Sequence, residues 1–348
     1  MEFSMFLEAL SNENGVSGYE YNLKDLITRE FERYTDKTRI DNLGNIISFK
    51  KGNGNKKIML AAHMDEIGLM INYIEDNGLL RFTSVGGFDP RTIIGQEVIV
   101  HGKEKLFGVI GSKPPHLQDP SEKDKSIKLE DMVIDIGYSY EKVSNLVNIG
   151  DIVTINRNME YLKNNKVTGK ALDNRVGVTV LLECAKELQR LNHDADVYFV
   201  STVQEEISMS GVTVASYDID PDFGIAVDVG FGHTPELDKS SSINLGEGPG
   251  ITLGGNIHPG LRKNLLQVAK QYNIPFQNVV TPGATGTDAS AMQVNRAGIP
   301  ALVLSLPLRY MHTSVELIQL DDIRYTAQLL SFFISSISNE SLEGLLCY

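Results

Sequence analysis

The chain has 348 residues, 42% of them apolar, enough for one large domain or two ordinary ones, each burying a core. Its formal net charge of −13, with no long basic cluster, argues against nucleic acid or an anionic membrane as partner. Two cysteines, Cys184 and Cys347, indicate no disulfide framework. No apolar stretch approaches the ~20 residues that span a bilayer, and the first ten residues lack a secretory leader, so a cytoplasmic, soluble protein is expected.

Residues 3–34 predict helix, broken at the turn Asn14-Gly15-Val16-Ser17-Gly18. A turn at 41–45 precedes a short strand at 46–49, and Lys51-Gly52-Asn53-Gly54-Asn55 has the composition of a hairpin-type turn. The run Ile58-Met59-Leu60-Ala61-Ala62 predicts a buried strand leading into His63-Met64-Asp65-Glu66. Residues two apart on a strand point the same way. Asp65 is therefore placed to hold the His63 ring in one tautomer, as carboxylates do behind metal-bound histidines.

From 68 to 164 the texture changes. Short strands are expected at 69–74, 79–85, 96–101, 105–110, 132–135 and 151–155, separated by turns and without a long helical period. They predict an inserted all-β module, a small barrel or sandwich. Within it, 111–128 is rich in Pro, Lys, Asp and Glu and reads as a mobile loop. His101 and His116 read as structural or surface residues.

Helix–strand alternation returns at Val167. Val176, Val180, Leu181, Cys184, Leu188 and Leu191 have amphipathic helical spacing. Asp173 stands at the start of that helix, where capping and the helix dipole favour a carboxylate. Residues 196–206, DVYFVSTVQEE, read as a buried strand that ends on two adjacent acids, Glu205 and Glu206. Acids placed there are costly unless something positive meets them. A helix to about Tyr217 follows, then a buried strand at 223–227 that ends on Asp228. A Gly-rich loop at 248–260 carries His258, a helix is expected at 261–272 and a short strand at 278–280. The tight loop 283–289, with Asp288, opens a helix to Arg296. A fourth buried strand at 301–306 leads into Arg309, Tyr310 and His312, and a helix at 321–334 closes the domain.

In an open α/β sheet, ligands bind outside the carboxyl ends of the strands. If the buried strands are neighbours, His63, Glu205, Glu206, Asp228 and His312 converge with Asp173. Two imidazoles with several carboxylates and no cysteine suit Zn²⁺, Co²⁺ or Mn²⁺. The number of ligands suits two ions ~3.5–4 Å apart sharing a bridging carboxylate.

Five segments come in a familiar order and spacing: His63-Met64-Asp65-Glu66-Ile67-Gly68, Ala171-Leu172-Asp173-Asn174-Arg175, Gln204-Glu205-Glu206, Val227-Asp228 and Tyr310-Met311-His312-Thr313-Ser314. The set resembles the tetrahedral aminopeptidase family, which includes glutamyl aminopeptidases and chains labelled cellulase M. The likeness covers the whole chain. It implies an α/β class fold: a three-layer α/β/α metallopeptidase domain with a mostly parallel mixed sheet, made of 1–67 plus 165–348. The all-β insert at 68–164 would serve dimerisation and assembly. It implies Asp173 as the bridging carboxylate, His63 and Asp228 as ligands of one metal, and Glu206 and His312 as ligands of the other. Glu205 would be the general base and Asp65 the partner of His63. Family members form hollow homo-oligomers, often of twelve subunits, that exclude folded proteins. One departure is Thr313-Ser314, where the family often has Ser-Pro.

The expected activity is removal of N-terminal residues from short peptides. Glu205 would take a proton from a water bridging two ions and deliver it to the leaving amine. Glu205 and Glu206 would divide the labour because neighbouring side chains on a strand diverge. One rival is β-glucan-type glycoside hydrolysis, which needs carboxyls ~5–9.5 Å apart; the adjacent glutamates and absence of Trp weigh against it. Others are a related metal-dependent amidohydrolase or deacylase, and a non-enzymatic metal-stabilised module. The pocket for the first side chain is expected from 248–260, 283–288 and Arg309-Tyr310, with His258, Asp288, Arg309 and Tyr310 as substrate-binding candidates. Arg309 or Arg262 would either attract an acidic first residue or make ordinary salt bridges.

Overall fold

The computed structural model describes residues 1–114, 116 and 126–346. Helices α1 (Phe3–Asn12) and α2 (Lys24–Phe31) flank the expected turn. Phe3, Phe6, Leu7 and Leu10 form the buried face of α1, at helical spacing. Strands β1 (Lys37–Ile40) and β2 (Ile46–Lys50) form a hairpin. Its turn is shaped by Asp41, whose Oδ1 accepts the N–H groups of Leu43, Gly44 and Asn45.

Strand β3 (Lys57–His63) leads into a run of β4 (Gly68–Ile74), β5 (Leu80–Val85), α3 (Pro90–Ile93), β6 (Glu97–His101), β7 (Lys105–Ser112), β8 (Met132–Asp135), α4 (Tyr140–Leu146) and β9 (Ile152–Ile155). The strands from β4 to β9 close an antiparallel barrel in the order β4-β5-β8-β7-β6-β9. Closure leaves no free edge. The barrel has a core of its own, with Leu69, Phe82, Val98, Val100, Ile110 and Ile134 at its centre. The two short helices were not anticipated; one or two turns leave no readable period. Residues 115 and 117–125 of the loop expected at 111–128 lie outside the described residues, as does Cys347. His101 Nε2 lies 2.9 Å from Thr154 Oγ1, and His116 is exposed.

The chain continues through β10 (Glu160–Leu162), β11 (Lys166–Gly169), α5 (Leu172–Glu187), β12 (Asp196–Thr202), α6 (Glu205–Ser208), α7 (Ser210–Ile219), β13 (Phe223–Phe231) and β14 (Gly250–Gly254). It ends with α8 (Pro259–Gln271), β15 (Gln277–Thr281), α9 (Asp288–Gln293), β16 (Ala301–Leu308), β17 (Glu316–Gln319), α10 (Leu320–Ser336) and α11 (Asn339–Leu346). The main sheet has the order β1-β2-β12-β3-β13-β16-β14-β15. Its four central strands, β12, β3, β13 and β16, are parallel. A smaller antiparallel sheet joins β10, β11 and β17.

Alternation along β3 shows both faces of the main sheet covered. Ile58, Leu60 and Ala62 pack with Leu7, Val180 and Leu330 of α1, α5 and α10. Met59 and Ala61 pack with Val212 and Ala215 of α7 and Met292 of α9. The result is a three-layer α/β/α arrangement with a mixed, mostly parallel sheet. Doubly covered strands read as unbroken apolar runs.

The expected hairpin at 51–55 is corrected. β12 lies between β2 and β3, so this segment is a loop passing the start of β12. The Gly52 N–H donates to Asp196 Oδ1 at 2.9 Å, and a Cβ on Gly52 would overlap the carbonyl oxygens of Asp194 and Ala195. The loop expected at 248–260 contains β14. No helix among the described residues is long and apolar enough to cross a membrane.

Candidate active site

The parallel register brings the strand ends to one edge. Thr202, the last residue of β12, pairs with His63, the last of β3. Asp228 pairs with Ser305 of β16, whose carboxyl end leads to His312. α5 brings Asp173 to the same edge from one covering layer.

Two local expectations change here. β12 stops at Thr202, and Gln204 turns the chain with a φ of 59°, so Glu205 and Glu206 open the short helix α6. Asp65 makes this turn possible. Its Oδ1 accepts the Glu205 N–H and its Oδ2 the Glu206 N–H, each at 3.1 Å. These are two of the N–H groups that a helix start leaves without partners. The two glutamates still diverge, because successive helical residues are ~100° apart. Glu205 Oε2 lies 3.8 Å from His63 Nε2, and Glu206 Oε2 lies 3.5 Å from His312 Nε2. β13, for its part, does not end on Asp228 but runs through it to Phe231.

Asp173 is not a capping residue. Asp173 and Asn174 have non-helical backbone angles at the head of α5. Asn174 Oδ1 accepts the Gly177 N–H at 3.1 Å, which leaves the Asp173 carboxylate facing the cleft. Asp173 Oδ1 is 3.2 Å from His63 Nε2, and its Oδ2 is 3.5 Å from His312 Nε2. Asp228 Oδ1 approaches the same His63 nitrogen at 3.8 Å. On the other side of the His63 ring, Nδ1 is 3.3 Å from the Asp65 carbonyl and 3.6 Å from its carboxylate. Asp65 thus touches the imidazole and holds the glutamate turn at once.

Glu316 was not found from the sequence. It is 2% exposed, at the start of β17. Its Oε2 accepts the Asp173 N–H and its Oε1 the His312 N–H, each at 3.0 Å. One buried carboxylate therefore fixes the backbone of two cleft residues. A Glu four places after His312 was the available signal, but no element was expected there.

The electrostatics are crowded. Burial raises Glu205 to about 8, with Asp288 and Glu206 adding to it. Burial raises Glu206 to about 8, helped by Asp173. Burial, with Asp173, pushes Asp228 and Glu316 well up. Burial opposes charge on His63, but Glu205, Asp173 and Asp65 outweigh it and raise the ring well above its usual value. Asp173 draws His312 up to about 9. Burial works against the Asp173 charge too, yet hydrogen bonds with both rings hold it well below the ordinary carboxylate range. Two imidazoles face four acidic side chains, three of which are pushed toward their neutral forms, a crowding that a bound divalent cation would relieve by favouring the carboxylates. Ligand atoms of His63, Asp173 and Glu206 lie within 4.8 Å of one another, a group able to hold a metal ion. The nitrogen and oxygen donor set fits a borderline-hard divalent ion.

These side chains form the floor of a cavity of about 500 Å³. None of the four substrate-binding candidates lines it. Asp288 is sealed beneath, accepting the Thr202 hydroxyl at 2.6 Å, and burial raises it to about 6. His258 caps α8 by accepting the Leu261 N–H at 3.3 Å. Arg309 donates to the His233 carbonyl at 2.7 Å. Tyr310 is half-exposed outside the cavity. The wall comes instead from β13, β14, β15, β16 and the segments 240–243 and 285–287.

The fold is that of an aminopeptidase: the chain superposes on the TET aminopeptidase of a Thaumarchaeota archaeon from marine sediment with a TM-score of 0.95, at 32% identity and 99% coverage of each chain. Residues 44–329 match the M42 glutamyl aminopeptidase family, and the chain belongs to that family. A lysyl aminopeptidase of Pyrococcus furiosus is 40% identical over 321 residues, 90% of this chain and 92% of the relative. The TET1 peptidase of Pyrococcus horikoshii, which can assemble into a tetrahedron or a large octahedral shell, has a TM-score of 0.85 at 33% identity, over 97% of this chain and all of that one.

Proposed function

We propose that this protein is a two-metal aminopeptidase that removes N-terminal residues from short peptides, with Glu205 as its general base. The observation that carries this is the Asp173 carboxylate, which turns one oxygen to His63 and the other to His312. A carboxylate shared between two imidazole-containing half-sites is what a bridged pair of ions requires. His63 and Asp228 would hold one ion, Glu206 and His312 the other, and Asp173 both. Zn²⁺, Co²⁺ and Mn²⁺ all suit this donor set. When bound, the ions supply Lewis acidity, acidifying water and polarising the scissile carbonyl.

The chain's own residues do the rest. Glu205 accepts the proton of the attacking water and returns it to the leaving amine. Asp65 keeps Glu205 and Glu206 in register by holding both backbone N–H groups. Asp228 and Glu206 give the substrate's ammonium group acidic neighbours. The assemblies of the Pyrococcus horikoshii relative support a homo-oligomer; in this reading the insert at 68–164 pairs the subunits of a shell that admits peptides and excludes folded proteins.

The test is Glu205→Gln, compared with the parent for bound metal and for hydrolysis of aminoacyl p-nitroanilides. Retained metal with turnover lost by roughly a hundredfold or more supports the assignment. A near-normal rate refutes the base. Chelator-resistant hydrolysis of a β-glucan, with no anilide turnover, refutes the aminopeptidase reading.

A further inference from the structure

Among the described residues, the cavity wall beyond His63, Asp173, Glu205, Glu206, Asp228 and His312 carries no acidic or basic side chain. It is made of aliphatic, aromatic, thioether, hydroxyl and amide groups, including Phe231, Ile243, Thr252, Asn278, Val279 and Met311. The nearby charges are turned elsewhere. Arg262 donates from Nε to the Thr252 carbonyl at 2.9 Å and from Nη2 to Asn278 Oδ1 at 2.6 Å, so it braces the wall from outside. Arg309 donates from Nε to the His233 carbonyl and does not line the cavity. Asp288 is closed off behind Thr202.

We infer that this enzyme selects peptides whose first side chain is uncharged, of leucine or methionine size, over those beginning with lysine or glutamate. The inference rests on the aminopeptidase reading of the same site. The substrate ammonium group is drawn to the acidic floor and the scissile carbonyl to the ions that floor would hold, which leaves the first side chain to the neutral wall. An apolar side chain there exchanges water for apolar contact. A lysine ammonium or glutamate carboxylate placed against that wall loses hydration and finds no counter-charge on it, which disfavours it strongly. This sets the chain apart from a relative named for lysine and a family named for glutamate. Val279, on the edge strand β15, is the residue through which the wall's charge is most simply altered.

The experiment measures kcat/KM of the full-length, metal-loaded enzyme on Leu-, Met-, Lys- and Glu-p-nitroanilide, for the parent and Val279→Asp. The expected result is a preference of roughly tenfold or more for Leu and Met over both charged substrates. In Val279→Asp, the Lys/Leu ratio should rise by roughly tenfold or more and the Glu/Leu ratio should fall. Equal or better turnover of Lys or Glu by the parent overturns the inference and leaves the aminopeptidase reading standing. An unchanged Lys/Leu ratio in the variant overturns the assignment of the first side chain to this wall. Turnover of none of the anilides defeats the aminopeptidase reading, and this inference with it.

Discussion

Replacing Glu66 with alanine should cost the fold about 3–5 kcal/mol at pH 7, because it strips the anion from two buried cations. Glu66 is 3% exposed. Its carboxylate accepts from Lys170 Nζ at 2.8 and 3.0 Å, from Arg175 Nη2 at 3.1 Å and from the Gly15 N–H at 2.9 Å. Arg175 is fully buried and also donates to the carbonyls of Leu10, Glu13 and Met64. The network therefore ties the end of α1, the exit from β3 and the head of α5 beneath the cleft.

The effect carries a pH signature. Burial lowers Lys170 to about 8, against the upward pull of Glu66. An unfolded lysine titrates near 10.4. Between those values the folded state binds fewer protons than the unfolded one, so this group adds stability as pH rises through that window. Without Glu66 the folded value falls further and the relief starts at lower pH. The deficit of Glu66→Ala should be largest near pH 7 and smaller at pH 9. Urea denaturation of parent and variant at both pH values, followed by circular dichroism, measures it. A loss below about 1 kcal/mol at pH 7, or a deficit that grows toward pH 9, would refute the reasoning.

Glu316→Ala should weaken metal binding by roughly 10–100-fold, since it frees the backbone of Asp173 and His312; calorimetric titration of the metal-free protein with Zn²⁺ reads this without any turnover. The same substitution orphans the buried Asp173 N–H, at about 1–3 kcal/mol, and the half-buried His312 N–H, and a melting temperature equal to the parent's would contradict the bonds seen here. Cys184 is buried and burial pushes its thiol up to about 12, so iodoacetamide at pH 8 should leave it unmodified in the native protein and alkylate it after unfolding, as read by peptide mass mapping.

What could be read from the sequence was set by burial. Ile58–Ala62, 223–227 and 301–306 lie in parallel strands covered on both faces, so apolar character is unbroken until the sheet meets the cleft. His63, Asp228 and the His312 segment then stand out by contrast. Other features depend on distant partners. β1, with the sequence Lys-Thr-Arg-Ile, is a partly exposed edge strand with no apolar run. Residues 51–55 have hairpin composition, but nothing local announces that β12 will enter between β2 and β3. The glutamate pair read as a strand end because the helical turn of α6 is stabilised by Asp65, 140 residues away from Glu205. Arg309 and His258 have the chemistry of ligand-binding groups, yet Arg309 Nε bonds the His233 carbonyl, His258 Nδ1 accepts from Leu261, and neither residue lines the cavity. Composition names donors and acceptors; it does not say which way they turn.

The barrel has a consequence for how the cleft assembles. His63 precedes it and Asp173 follows it, so two facing residues of the cleft are separated by a detour of more than a hundred positions. The barrel closes by pairing β4 with β9, Leu69 opposite Val153. Once that seam forms, the chain's departure point and return point are side by side. The remaining loop is then a few tens of residues, which lowers the entropic cost of bringing His63 to Asp173 by about 1 kcal/mol. With a core of its own, the barrel acts as a clip that shortens the chain path between the two facing residues.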